Sequence, residues 1–179
     1  MAKPYLVRKI EWGKTNDKGV PKDCIDMMNY FNAAIKNGSY PLVPRTNPIT
    51  EEEILKKWIP NIKNTITYIA VDNDSQKVIC SGTLFLNLKT NIGELSITKD
   101  IDYSVRGVGT DVTKAVINEA LSRKISISVH TSIDNKGMCR IMEKLGYTPD
   151  KIIHDYERYR GEIADGADTD VFEWNIRPS

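Results

Sequence analysis

The chain has 179 residues, a mass of 20.3 kDa, 40% hydrophobic and 27% charged residues, and a formal net charge of +1. That length and apolar fraction suit one compact domain, residues 1–179, with a sizeable core, and a charge this close to zero gives no electrostatic case for wrapping nucleic acid. The three cysteines, Cys24, Cys80 and Cys139, form no disulfide or zinc pattern, Met1 to Arg8 has no apolar leader, and no apolar run nears the ~18 residues of a membrane span, so we expect a soluble cytoplasmic protein with reduced thiols, no metal and no membrane partner.

Tyr5 to Glu11 alternates well enough for a first strand, with Leu6 and Trp12 its bulkiest apolar members. Cys24, Met27, Met28, Phe31, Ala34 and Ile35 recur at helical spacing and predict a helix ending at Asn37-Gly38. Gly38 to Pro48 holds three prolines without periodicity, an ordered surface loop and a candidate acceptor-binding edge. Thr50 to Glu53 has the capping-box arrangement, and Ile54, Leu55, Trp58 and Ile59 give the following helix its buried stripe before Pro60 stops it. Thr65 to Val71 and Lys77 to Leu86 are β-rich runs joined by the hairpin signal Asp72 to Gln76, and Gly93 to Lys99 is a further strand.

Ser104-Val105-Arg106-Gly107-Val108-Gly109-Thr110 then runs directly into a helix over Asp111 to Arg123. Gly107 and Gly109 lack Cβ atoms, so the backbone can turn tightly and approach a ligand closely. A helix start with free N–H groups attracts a diphosphate, and Arg106 adds a full charge beside it. The plainer alternative for an isolated GxG is a tight turn with no ligand. There is no GK[ST] for a P-loop and no third glycine for a dinucleotide fingerprint. Ile125, Ile127 and Val129 alternate with Ser126, Ser128 and His130 as the next strand; Met138, Ile141, Met142 and Leu145 mark a short helix closed by Gly146; Lys151 to Tyr156 and Thr169 to Ile176 close the chain as strands.

Gly107-Val108-Gly109-Thr110, the helix and strand that follow, Asn135, and Glu143-Lys144-Leu145-Gly146-Tyr147 together resemble the GNAT superfamily of acyl-coenzyme A N-acyltransferases, in which Q/RxxGxG/A opens a helix and a later helix ends near EKLGF. The resemblance implies an α/β (α+β) fold: a mixed, mostly antiparallel sheet of six or seven strands, four flanking helices, and central strands that splay to admit the cofactor. It implies acetyl-coenzyme A as co-substrate, its diphosphate held by the backbone N–H groups of Arg106, Gly107, Val108, Gly109 and Thr110, with Ser104 and Val105 in the same cofactor-binding loop. The main chain of Ile97, Thr98 and Lys99 would pair with pantetheine, and Asn135 would bond the pantetheine arm, although a helix N-cap explains Asn135 equally well. The activity implied is acetyl transfer to a primary amine by direct attack, the acceptor being a small molecule or a peptide, in a protein compatible with a homodimer. A non-catalytic coenzyme A sensor or interaction module is the alternative.

Two positions depart from the family pattern. Ser104 stands where Gln or Arg is usual, and Met142 where many members carry a tyrosine that protonates the departing thiolate. Tyr156 and Tyr159 are the substitute donors. An amine is nucleophilic only when neutral, so a base is useful, and Glu94 is the candidate, with His130 a rival that is more often structural on such a strand.

Overall fold

The computed structural model describes residues 3–13, 15–37, 47–100, 102–156 and 169–178. Seven strands form one sheet in the order β1-β2-β3-β4-β5-β7-β6. They are β1 (Tyr5–Lys9), β2 (Thr65–Asp72), β3 (Val78–Asn87), β4 (Ile92–Lys99), β5 (Ser126–Ser132), β6 (Lys151–Tyr156) and β7 (Thr169–Ile176). Every neighbouring pair is antiparallel except β4 and β5, which run parallel around the crossover helix α3 (Val108–Ser122). The sheet is thus the expected mixed, mostly antiparallel one.

Period-two alternation decides which helix each strand residue meets. Along β2, Ile66 and Ala70 face α3, while Ile69 faces α1 (Lys22–Lys36). Leu84, Leu95, Ile127, Val129 and Trp174 join Val116, Ile117 and Ala120 of α3 and Met138 and Met142 of α4 (Lys136–Lys144) in the largest core. Leu6 lies outside these cores: it is 56% exposed, and its neighbour Tyr5 is buried, with its hydroxyl donating to Asp111 on α3 at 2.5 Å.

The second helical segment is less regular than its sequence suggests. Thr50 does cap it, its Oγ1 accepting from the Glu53 N–H at 3.2 Å, but α2 proper is only Glu51–Glu53. A π-helical turn, Ile54–Trp58, follows, and a 3₁₀ segment, Ile59–Asn64, carries the chain through Pro60. Proline at the second position of that segment lacks only an N–H that a helix start leaves unbonded anyway, so it does not stop the chain. Ile54 is fully buried, and Trp58 meets Phe31 of α1 edge-on at 6.0 Å, so the π turn is held by packing.

Cys24 and Cys80 are buried and unpaired, and burial pushes each thiol up to about 12, which keeps them protonated and inert in the core. Among the described residues no helix is long and apolar enough to cross a membrane.

The first strand is tied to α1 by charge. Both Asp23 oxygens accept from Arg8, at 2.5 and 2.7 Å, and one also accepts from the Glu11 N–H at 2.7 Å. Burial alone would raise the Asp23 carboxyl, but the bonds from Arg8 and the Glu11 N–H outweigh it and hold the carboxyl below its ordinary range. A depressed carboxyl contributes stability above its unfolded pKa of about 3.9 and loses that contribution as pH falls through the folded value. Asp23→Ala should cost about 2–3 kcal/mol at pH 7. In urea titrations the gap between wild type and variant should close progressively below pH ~4; a gap that stays constant down to pH 2 would contradict this role.

Candidate functional site

The central feature of the sheet is a fork. β4 and β5 pair only at Ile92↔Ser126, Gly93↔Ile127 and Glu94↔Ser128, and then part. Beyond that point β4 stays bonded to β3 as far as Cys80↔Lys99, and β5 to β7 as far as Ser132↔Val171. One main-chain edge of Leu95 to Lys99 therefore faces one edge of Val129 to Ser132 with no ladder between them. Two of the side chains on the β4 arm are committed to the interior. Ile97 packs against the cores beneath α3, and Thr98 is 6% exposed, so at these two positions β4 offers a ligand its backbone, while Lys99 at the open end is exposed.

At the open end of the fork the chain passes through Ser104 to Gly107 into α3. Tyr103 anchors this loop by donating to Asp72 at 3.0 Å. Gly107 is the N-cap, at φ +93°, a left-handed conformation that costs an L side chain about 1–2 kcal/mol, and no side chain caps the helix. The first-turn N–H groups of Val108, Gly109 and Thr110 have no intrahelical acceptor by position. Val108 is fully buried, so only its backbone can serve a ligand, while Ser104 and Arg106 are exposed. Asp111, one residue further on, is neutralised from the β1 side. Burial would raise its carboxyl, but Lys3, which bonds it at 2.5 Å, and Tyr5 hold it low.

Gly109 has a packing reason that the sequence does not reveal. It is buried, and a Cβ placed there would stand 2.9 Å from Cδ1 of Ile141, so its missing side chain lets α4 close onto α3. Asn135 is the N-cap of α4: Oδ1 accepts from the Met138 N–H at 3.1 Å and Nδ2 donates to Thr131 at 2.9 Å. The cap is established, and it leaves one amide hydrogen and one lone pair for any further partner.

At the closed end of the fork lies a cavity of about 390 Å³, on the sheet face away from α3. It is bounded by Glu94, Ser128 and His130 at the fork and by Phe85, Asn87 and Ile92 on the β3–β4 hairpin. Glu94 is exposed and stands in register with Phe85 on one side and Ser128 on the other. His130 is held by Glu173, its cross-strand partner on β7, with Nε2 and Oε2 3.1 Å apart. Burial works against the Glu173 charge, but hydrogen bonds from Asn175 and His130 prevail and keep the carboxyl below its usual range. Glu94 and His130, separate candidates in the sequence, share one cavity. Glu173 was missed: it is one charge in an alternating strand, and only the β5–β7 register gives it a role.

Tyr156 ends β6, and Tyr159 lies outside the described residues, as does most of the proline loop proposed as an acceptor edge. Met142 is fully buried among the residues of the main core, which accounts for its presence by packing. Among the described residues no group of three or more His, Cys, Asp or Glu side chains could hold a metal.

A family model described as an acetyltransferase (GNAT) domain matches residues 21–148. No curated protein sequence matches. Many solved structures share the fold. The acetyltransferase of GNAT family from Streptococcus pneumoniae superposes with a TM-score of 0.73 at 18% identity, covering 97% of this chain and 99% of that one. The ribosomal-protein-S5-alanine acetyltransferase from Vibrio fischeri gives 0.72 at 15% identity, with 99% and 94% covered. A GNAT superfamily phosphinothricin acetyltransferase from Sinorhizobium meliloti, in complex with acetyl-CoA, gives 0.70 at 12%, with 98% and 90% covered.

The contact between Gly109 and Ile141 gives a double-mutant test. Gly109→Ala should destabilise by roughly 1 kcal/mol through overpacking, and Ile141→Val, which removes the offending Cδ1, should relieve it, with a coupling of at least ~0.5 kcal/mol in thermal or urea unfolding. Strict additivity would show that the two residues do not constrain each other.

Proposed function

From a chain that belongs to the GNAT acetyltransferase family, and is an acyltransferase on that ground, we propose an N-acetyltransferase that moves acetyl from acetyl-coenzyme A directly to a primary amine of a small molecule or peptide. One observation carries this proposal: the fork between β4 and β5 has a helix start with a left-handed glycine at its open end and a cavity with a carboxylate at its closed end. A long, hydrogen-bonding, diphosphate-headed molecule fits the first part, and an amine the second.

The residues fit the cofactor in kind. The unpaired edge of Leu95 to Lys99 offers N–H and C=O groups to the amides of a pantetheine arm, much as a neighbouring strand would. The N–H groups of Arg106 to Thr110 and the charge of Arg106 suit a diphosphate, with Ser104 a weaker side-chain contact than the family's Gln or Arg, and Asn135 retains one donor for the arm. When bound, acetyl-coenzyme A supplies the activated thioester.

The chain's own part is to hold and deprotonate the acceptor. A primary ammonium with a pKa of about 10 is almost wholly protonated at pH 7, so its proton must leave before nitrogen can attack. Glu94, at the apex of the fork, takes that proton directly or through one water. Attack would form the N–C bond; as the C–S bond broke with its electron pair on sulfur, the nitrogen would give up its second proton to solvent, and the thiolate, a fair leaving group with a reference pKa near ~8.5, would take a proton from water, Tyr156 or Tyr159. Met142 cannot donate a proton. Holding the two reactants together contributes up to ~7–11 kcal/mol in well-oriented cases. The cytoplasmic setting belongs to the same proposal and is supported by the three unpaired thiols.

Glu94→Gln should lower kcat by ~10²–10⁴ with little change in acetyl-coenzyme A affinity by calorimetry. Near-normal turnover would place the base elsewhere, and the parallel variant His130→Gln then identifies or excludes the imidazole.

Met142→Leu conserves volume in a closed core and should cost less than ~1.5 kcal/mol while changing single-turnover transfer only slightly. A large loss with normal folding would mean that the thioether shapes the reacting geometry.

A further inference from the structure

The cavity at the closed end of the fork has two chemically different ends. Its floor is polar and anionic: Glu94 and Ser128 face it from the last β4–β5 pair, and His130 faces it while bonded to the ionised Glu173. Its outer lip carries large apolar side chains beside the uncharged Asn87 and Thr90. Phe85 is 40% exposed, Ile92 44% and Leu88 66%, three of the six large hydrophobic side chains that stand exposed among the described residues, and all three sit on the single hairpin joining β3 to β4. Phe85 and Ile92 line the cavity itself, and Leu88 lies in the turn between them. Exposed apolar residues scattered singly need no explanation, but a cluster around the mouth of a cavity with a charged floor does.

We infer that this cavity selects its acceptor by polarity: the substrate is a primary amine whose ammonium group is joined, within a few bonds, to an apolar or aromatic group. The ammonium is drawn to the Glu94 end, where a carboxylate stabilises the cation until its proton is taken. The apolar part then lies against Phe85 and Ile92, with Leu88 over it, and covers the lip as it does so. A volume of about 390 Å³ holds one such compact group. A second ammonium placed at the lip, as in a polyamine, would lose hydration there and meet no opposite charge among the described residues of the hairpin that line the cavity. This inference deepens the transferase reading and rests on it for the identity of the site.

The test is equilibrium binding of 2-phenylethylamine, ethanolamine and putrescine to the full chain saturated with coenzyme A, followed by nuclear magnetic resonance or calorimetry, with wild type, Phe85→Thr and Ile92→Thr. Both substitutions place β-branched, strand-compatible threonine at a partly exposed position, so the fold should persist. Phenylethylamine should bind at least about tenfold more tightly than either polar amine, the discrimination expected of an apolar pocket, and that ratio should fall towards one in both variants. Equal affinity for the three amines in wild type, a preference for putrescine, or a ratio unmoved by the substitutions would overturn the inference. The binding measurement stands apart from turnover: absence of acetyl transfer to every amine would defeat the transferase reading, while the order of affinities still decides the polarity of the cavity.

Discussion

The parting of β4 from β5 after three residue pairs is the constraint on which the rest of the molecule depends. Backbone N–H and C=O groups are strong, obligatory hydrogen-bonding groups, and leaving one dry and unbonded costs about 1–3 kcal/mol. Leu95, Thr98, Val129 and Thr131 beside the fork are all at least nine-tenths buried, so a chain that leaves these two edges unladdered gains little from solvent in exchange. The proposed ligand, lying as a strand would, would resolve that cost, its length matched to the span from the apex at Glu94 to the start of α3. The surrounding structure serves this gap. β3 and β7 hold the two arms in place, α3 and α4 close one face, and α1 with the π turn partly covers the other.

How the two helices on the α3 face were legible differs from case to case. The apolar stripe of α3 and the strands around it follow from periodicity, because the same residues that recur at helical or alternating spacing are those found in the core. The glycine loop was legible as a helix start, and Gly107 at φ +93° is the N-cap of that helix. Gly109 was legible only by type: the sequence cannot distinguish a glycine that admits a ligand from one that admits Ile141, since both need the same missing Cβ. Asn135 was open between two roles, and its cap bonds are now fixed by distance.

What escaped the sequence has one physical source, long-range register. Tyr5 rather than Leu6 faces inward because β1 pairs with β2 in a register that local alternation cannot set. The His130–Glu173 pair joins residues 43 positions apart through the β5–β7 ladder. The apolar lip is three residues whose hydrophobicity alone would assign them to a core. Pro60 shows the reverse error, a strong local signal overridden because a 3₁₀ segment can start at a proline. Met142, anomalous beside the family pattern, is ordinary as a core residue.

Amide hydrogen exchange with and without saturating acetyl-coenzyme A tests the fork most directly, because it reads the proposed backbone contacts themselves. The account predicts slowed exchange in Leu95 to Lys99 and in Val105 to Thr110, with β1 and β2 unchanged. Protection confined to other segments, or none at saturation, would contradict it.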